Sequence, residues 1–213
     1  MPSALRASAS PADPAPPVAT EAADLFFCLA AAFLPPPEPM SGRAWAQALA
    51  ADLEELAGAL GLDAAKALGT LRQHAATAAA EEPWLVEYSA LFLVPPVLAT
   101  LNTGLYLEGA LGGASAQMLA QCYASAGFAR REEFRDLPDH VAMQLEFVGA
   151  LLERAAAGDA DAAAMAGEFV DGFVRHWVEP LRNACERAAA QRPSARVYAS
   201  LADFARAALA VVP

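Results

Sequence analysis

The sequence predicts an all-α protein, built as a single-domain bundle of about eight to ten helices. Apolar residues recur at spacings of three and four along most of its 213 residues, the pattern of helices with one buried face. No stretch alternates apolar and polar residues as a half-buried strand does, and no unit of about 20 to 50 residues is repeated. With 56% hydrophobic and 18% charged residues, the composition excludes a wholly disordered chain.

The N-terminal segment differs from the rest because it consists mainly of Ala, Pro and Ser, with almost no bulky side chain. Such a segment cannot recover the entropy lost on ordering, so we predict a disordered tail over 1–19 and a helical domain over 20–213. The first helix of that domain is predicted from Glu21 to the Pro35-Pro36-Pro37 block, where proline prevents the helix from continuing.

The remaining helices are predicted from capping residues, stop signals and apolar spacing. In chain order they run from Ser41 to Leu60, from Asp63 to about Ala80, from Pro83 to Phe92, from Leu105 to Phe128, from Val141 to Leu152, from Val170 to Cys185 with a kink or break at Pro180, and from Pro193 onward. The stretch from Val94 to Gly104 has no clear periodicity and is predicted to be a mobile surface loop.

Charge and cysteine content narrow the classes of function. Fourteen Lys plus Arg against 25 Asp plus Glu give a net charge of −11, which argues against a general nucleic-acid binder. The three cysteines form no CxxC pair and are typical of small buried hydrophobes in a reducing compartment. No apolar run reaches the roughly 18 residues of a membrane span, and the N-terminus lacks the pattern of a secretory signal, so we predict a cytoplasmic protein.

Motifs of common enzyme classes are missing from the sequence. There is no GxxxxGK[ST], GxGxxG, HExxH or GxSxG. His74, His140 and His176 lie far apart, and none has a second His or a Cys at metal-ligand spacing. We therefore assign no catalytic residue, no metal site and no cofactor.

The phrase Asp136-Leu-Pro-Asp139-His140 lies where a linker enters the most strongly amphipathic helix of the chain. It can be a start signal alone, in which an aspartate caps the helix and Pro138 presets the backbone. It can also be a binding site, because a carboxylate and an imidazole at a helix start are oriented and free to meet a ligand. The two interpretations are compatible, and the pattern does not choose between them.

Three segments together resemble a known family. They are Tyr88-Ser-Ala-Leu91-Phe92, Tyr106-Leu107-Glu108-Gly109, and Asp136-Leu-Pro-Asp139-His140 continuing into Gln144-Leu145-Glu146-Phe147. In order and spacing they are similar to the TorD/DmsD/NarJ family of redox-enzyme maturation chaperones. The sequence departs from many members in having Thr103 and Gly104 before the tyrosine, where those members place an acidic residue and a serine.

The resemblance implies a TorD-like, all-helical cytoplasmic chaperone that is not an enzyme. Its partner would be the catalytic subunit of a molybdenum-dependent oxidoreductase, in many cases bound through a twin-arginine leader peptide, with export delayed until the cofactor is inserted. Asp139 and His140 match the Asp-His of the family motif, which is implicated in leader recognition, and Asp136 stands at the preceding acidic position.

A receptor for such a leader needs carboxylates beside an apolar surface, because the leader offers two guanidinium groups followed by an apolar stretch. Asp136 and Asp139 are the predicted partners of the arginines. Four residues flank the loop and are predicted to line the apolar part, although the aromatic ones also fit a plain core: Trp84, Tyr88, Leu105 and Tyr106.

Two other classes of function remain open at this point. The chain could be a helical adaptor or regulator that binds a partner helix without recognising a leader, or an enzyme whose active site has no recognisable motif. The adaptor hypothesis predicts that Asp139 and His140 only cap a helix. Whether the chain is a monomer or a homodimer is also left open by the sequence.

Overall fold

The computed structural model describes residues 5–7, 17–36, 40–78, 83–131 and 134–213, and it confirms the all-α class. Ten α-helices lie in these residues: α1 (Pro17–Ala32), α2 (Gly42–Ala59), α3 (Ala65–Ala78), α4 (Trp84–Phe92), α5 (Gly104–Leu107), α6 (Ala114–Ser125), α7 (Val141–Ala156), α8 (Ala160–Phe169), α9 (Arg175–Ala188) and α10 (Ala195–Ala208). A π-helical turn at Val170–Val174 joins α8 to α9, and a 3-10 turn at Leu209–Val211 follows α10. No helix in the described part of the chain combines the length and apolar character needed to cross a membrane.

Helix α7 is the centre of the bundle. Every residue from Val141 to Gly149 is buried, so this part of the helix is enclosed on all sides. It packs against α1 and α8. A Cβ added at Gly149 would lie 2.9 Å from the Phe27 ring and 3.1 Å from the Ala23 carbonyl oxygen. The close approach of α1 to α7 therefore requires a glycine at position 149.

A second part of the core lies between α2, α4 and α10, where aromatic rings stack on one another. The Trp84 ring lies 5.2 Å from the Trp45 ring and 5.8 Å from the Tyr198 ring, and its indole N–H donates to the Tyr198 hydroxyl at 2.9 Å. The buried polar atoms of these large rings thus have partners, which such burial requires.

The prediction of one continuous helix from Leu105 to Phe128 is wrong, because the structure has two helices there. Helix α5 ends at Leu107, and α6 begins only at Ala114. Between them Gly109 and Gly112 have φ angles of 73° and 67°, a backbone conformation that favours glycine and cannot continue a right-handed helix. The glycines therefore end one helix and lead into the next instead of packing inside a single one.

A kink or a break was predicted at Pro180, and there is no break, because α9 runs through it from Arg175 to Ala188. Proline removes the amide that would bond to the His176 carbonyl. His176 is exposed and Pro180 only half-buried, so water can hydrate that carbonyl at little cost. The irregular turn of this region lies earlier, at Val170–Val174.

Two short strands were not predicted. Strand β1 (Leu5–Ala7) pairs antiparallel with β2 (Phe128–Arg130), and three-residue strands are too short to show an alternating pattern. Residues 5–7 and 17–19 belong to the segment predicted as a tail, yet they form β1 and the first turn of α1, where Pro17 fits the geometry of a helix start. The rest of that segment, 1–4 and 8–16, lies outside the described residues.

The close contact at Gly149 gives a first prediction. Gly149→Val should lower the free energy of unfolding by about 1–3 kcal/mol, because the added side chain overpacks the α1–α7 contact. The matched control is Gly69→Val in α3, where an added Cβ meets nothing within 4 Å. There the change should stay within about 0.5 kcal/mol. Urea denaturation measures both values, and equal losses at the two positions would contradict the contact.

Candidate functional site

The site predicted from the sequence lies where the loop before α5 meets the N-terminus of α7. An isolated bridge pairs Asn102 with His140, the Thr103 N–H donates to the Asp139 carbonyl at 3.0 Å, and the Val141 N–H donates to the Leu101 carbonyl at 2.8 Å. Backbone hydrogen bonds therefore join the end of the loop to the entrance of the central helix.

Asp139 is completely buried at this junction. One carboxylate oxygen accepts from the Gly104 N–H at 2.8 Å, and the other accepts from the Asn102 side-chain amide at 3.4 Å. These donors replace water around the carboxylate, as the burial of such a group requires. An added Cβ at Gly104 would lie 2.6 Å from the Ala110 carbonyl oxygen and 2.9 Å from the carboxylate, so only glycine fits beside Asp139.

A buried amide extends this network into the core. The Gln144 side-chain N–H₂ donates to the Thr103 hydroxyl oxygen at 2.9 Å and to the Asp139 carbonyl at 3.0 Å. The Gln144 side-chain oxygen accepts from the Trp177 indole N–H at 2.9 Å. Among the described residues, every buried side-chain nitrogen or oxygen has a hydrogen-bond partner. Helices α7 and α9 thus hold the 102–104 segment in one position.

His140 is the N-cap of α7, a role that the sequence gave to the aspartates. Its Nδ1 atom accepts from the Ala142 N–H at 3.1 Å, so the neutral ring carries its proton on Nε2, which lies 4.0 Å from the nearer Asp136 carboxylate oxygen. Burial lowers the pKa of His140 to about 4, although the neighbouring Asp136 charge opposes this. The imidazole is therefore uncharged at neutral pH.

Asp136 is the acid of this site that a ligand can reach. Its side chain is 39% exposed, whereas Asp139 has no exposed surface. One oxygen of its carboxylate accepts from the Asn102 side-chain amide at 2.9 Å and from the Leu137 N–H at 2.7 Å. Arg130 donates to the Asp136 backbone carbonyl at 2.5 Å, which fixes the linker between β2 and α7.

The structure brings five of the seven predicted binding residues to one region. Asp136, Asp139 and His140 share the network of the α7 entrance, and Leu105 and Tyr106 follow directly after Gly104. The Leu105 side chain is 39% exposed. Tyr106 is half-buried, because its hydroxyl donates to the Thr100 carbonyl at 2.8 Å and accepts from the Thr100 N–H at 3.3 Å.

Four of the seven predicted residues are buried, so their direct contact with a ligand stays a prediction. Trp84 and Tyr88 belong to the aromatic core, where the Tyr88 hydroxyl donates to the Phe33 carbonyl at 3.2 Å and burial raises the Tyr88 pKa. Asp139 and His140 are enclosed at the α7 entrance. That Asp139 and His140 contribute to ligand binding remains a prediction, in which they act by positioning neighbouring residues.

Exposed apolar side chains are concentrated in one segment of the chain, and among them only Leu105 was predicted from the sequence to line a binding site. Of the nine large apolar side chains that are exposed in the described part of the chain, eight lie between residues 86 and 118. We call six of them the 93–111 surface: Leu93, Val94, Val97, Leu105, Leu107 and Leu111. Exposed apolar residues that form a contiguous patch are typical of an interaction site. Val94 and Val97 could have been recognised as apolar residues in a stretch without helical spacing, whereas Leu105, Leu107 and Leu111 lie in a stretch that was predicted as a helix.

Other parts of the described chain show fewer features of a binding site. No group of three or more His, Cys, Asp or Glu residues is arranged there to hold a metal ion. An open cleft of about 640 Å³ lies between α3, α9 and α10, and none of the predicted residues lines it. Its wall contains Arg182 and Arg206, which both pair with Asp203.

A comparison with protein families agrees with the resemblance noted in the sequence. The family described as nitrate reductase delta subunit matches residues 43–183, which include the loop, the α7 entrance and the 93–111 surface. Among solved structures, a candidate redox enzyme maturation protein from Archaeoglobus fulgidus is similar, with 20% identity and a TM-score of 0.46 over 84% of this chain and 92% of that chain. No curated protein matches the chain significantly.

The burial of Asp139 predicts that it supports stability. Asp139→Ala should lower the free energy of unfolding by about 1–3 kcal/mol, because the buried Gly104 N–H loses its acceptor. Hydrogen exchange at the Gly104 amide should become faster at the same time. Asp136→Ala is the matched control, and its half-exposed side chain should cost less than about 1 kcal/mol. Similar losses for the two variants would contradict the positioning role of Asp139.

The lowered pKa of His140 predicts a dependence of stability on pH. The unfolded chain binds the proton near pH 6.5 and the folded chain only near pH 4, so stability should be lost as the pH falls through this window and level off below it. His140→Asn keeps an oxygen that can cap α7 but removes the titration. The wild-type protein should therefore lose up to about 3 kcal/mol more than the variant across the window.

Urea denaturation at several pH values between 7 and about 4 measures this difference. Carboxylates that titrate in the same range do so in both proteins, so comparison of the two isolates His140. A constant offset between the curves would reflect lost packing against Phe134, whose ring lies 5.6 Å from the imidazole. Parallel curves across the window would contradict the neutral, buried imidazole.

Proposed function

Because the chain belongs to the nitrate reductase delta subunit family, the NarJ-type family of molybdoenzyme maturation chaperones, we propose that it recognises its client through a leader peptide. The client is the immature catalytic subunit of a molybdenum-dependent oxidoreductase. Binding takes place in the cytoplasm, holds the twin-arginine leader, and delays export until the cofactor has been inserted.

The observation that carries this proposal is the half-exposed Asp136 carboxylate, which is hydrogen-bonded to the chain segment that contains the 93–111 surface. Asn102 contacts the Asp136 carboxylate and lies three residues before Leu105, an exposed member of the surface. A twin-arginine leader presents guanidinium groups followed by apolar side chains. The half-exposed carboxylate offers a partner for the guanidinium groups, and the exposed leucines and valines offer a partner for the apolar side chains.

The chemistry proposed for this surface is reversible binding, with no covalent step. The net charge of −11 attracts a basic leader over a distance of about one Debye length, which speeds the encounter and weakens as salt is added. Release requires only that the contacts are modest. A single half-exposed ion pair and a few exposed apolar contacts fit that requirement.

Asp139 and His140 take part indirectly in this proposal. Asp139 fixes Asn102 and Gly104; Asn102 in turn binds the Asp136 carboxylate, and Gly104 directly precedes Leu105. His140 caps α7 and stays neutral beside Asp136, so it does not supply a cation that would compete with the arginines of a leader. Both residues act through the shape of the α7 entrance.

The proposal predicts which variants lose affinity for a synthetic twin-arginine leader. Asp136→Asn should raise the Kd by roughly three- to tenfold, because a half-exposed ion pair contributes about 1 kcal/mol. Replacing both arginines of the peptide by alanine should also weaken binding, and Asp136→Asn should then have little further effect. The control is Asp52→Asn, an exposed aspartate of α2, which should leave the Kd unchanged. Isothermal titration calorimetry measures all of these values.

A matched pair of variants tests the apolar part of the proposed site. Leu105→Ser should weaken binding of the leader, whereas Met40→Ser should not, although the two side chains are 39% and 37% exposed. Equal affinities for all variants and both peptides would remove the proposed site. If an intact client subunit still bound in that case, the chain would act as a helical adaptor that does not read the leader.

A further inference from the structure

Strand β1 is formed by the chain's own N-terminus, and it occupies the edge of β2. In this antiparallel pair, Leu5 lies opposite Arg130, Arg6 opposite Ala129, and Ala7 opposite Phe128. Ala129 and Arg130 are exposed on β2. A strand edge of this kind is a template on which an extended peptide can add through its backbone.

The edge of β2 is connected to the proposed leader site. Arg130, the β2 residue opposite Leu5, donates to the Asp136 backbone carbonyl at 2.5 Å. An extended peptide on this edge therefore has its backbone beside a residue that holds Asp136 in place. The strand now on the edge has the sequence Leu-Arg-Ala, in which one arginine stands between two apolar residues. In sequence it therefore resembles a twin-arginine leader, which also combines arginine with apolar residues.

The pairing of β1 with β2 covers only three residues on each strand, and β1 also contacts α7. A ribbon of two three-residue strands is marginally stable by itself. Nine residues, 8–16, separate β1 from the start of α1, so β1 returns to the edge by an intramolecular step at high effective concentration. A segment held in this way can keep an edge covered and still yield it to a ligand.

We propose that the β2 edge accepts an arginine-bearing, extended stretch of the client's leader, and that residues 5–7 compete for the same edge. This inference rests on the proposed function and adds to it both the conformation of the bound segment and a regulator of its binding. Residues 5–7 thereby lower the affinity for a leader, because the apparent Kd equals the intrinsic Kd divided by the fraction of molecules in which the edge is free.

The experiment compares leader binding by the full chain with binding by a variant that lacks residues 2–7 and so lacks β1. The truncated chain should bind the twin-arginine leader roughly three- to tenfold more tightly, as expected when a marginal intramolecular contact is removed. The matched control lacks only residues 2–4 and keeps β1, and its affinity should equal that of the full chain. Arg6→Pro in the full chain weakens the same strand without shortening the protein and should also tighten binding.

Two further measurements locate the effect. A synthetic peptide of residues 1–10 should compete with the leader for the truncated chain, and NMR signals from the amides of residues 128–130 should shift with either peptide. If the leader binds in an Asp136-dependent way but truncation and Arg6→Pro leave its affinity unchanged, the inference is overturned and the proposed function stands. If no variant binds the leader, both are overturned.

Discussion

The buried carboxylate of Asp139 is the constraint on which this face of the protein depends. A polar group without exposed surface must find hydrogen-bond partners inside the fold, and here they are the Gly104 N–H and the Asn102 side chain. These hydrogen bonds fix the loop against the start of α7, and glycine is the only residue type that fits at position 104. The next residue, Leu105, then has an exposed side chain, whereas Tyr106 is held inward by its bonds to Thr100.

The two aspartates of one short phrase consequently do different work. Asp139 is buried and supports the fold, whereas Asp136, three residues earlier, keeps an accessible carboxylate. His140, next to Asp136, is the neutral N-cap of α7. The cap of the helix therefore falls on His140, and the proposed binding site falls on Asp136. Family membership gives the class of client, and the accessible Asp136 together with the exposed apolar side chains gives the proposed means of recognition.

The sequence predicted the positions of most helices, but it did not predict which residues of the candidate site are buried and which are exposed. Apolar spacing located α2, α4, α7 and α10, because helices that bury one face repeat at a fixed interval. The same spacing cannot show whether a residue at a helix entrance points into the core, so the burial of Asp139 and His140 was missed. The break after Leu107 depends on the positive φ angles of Gly109 and Gly112, and β1 depends on a contact across more than 100 residues. Neither leaves a periodic signal.

The most direct test of the account is hydrogen exchange of the free protein and of its complex with a twin-arginine leader, resolved along the chain. Binding should slow exchange over residues 93–111 and around Asp136, and should leave the exposed turns of α2 and α3 unchanged. Slower exchange confined to the cleft between α3, α9 and α10, with none near Asp136, would contradict the account, because the leader would then bind on a face that Asp139 does not organise.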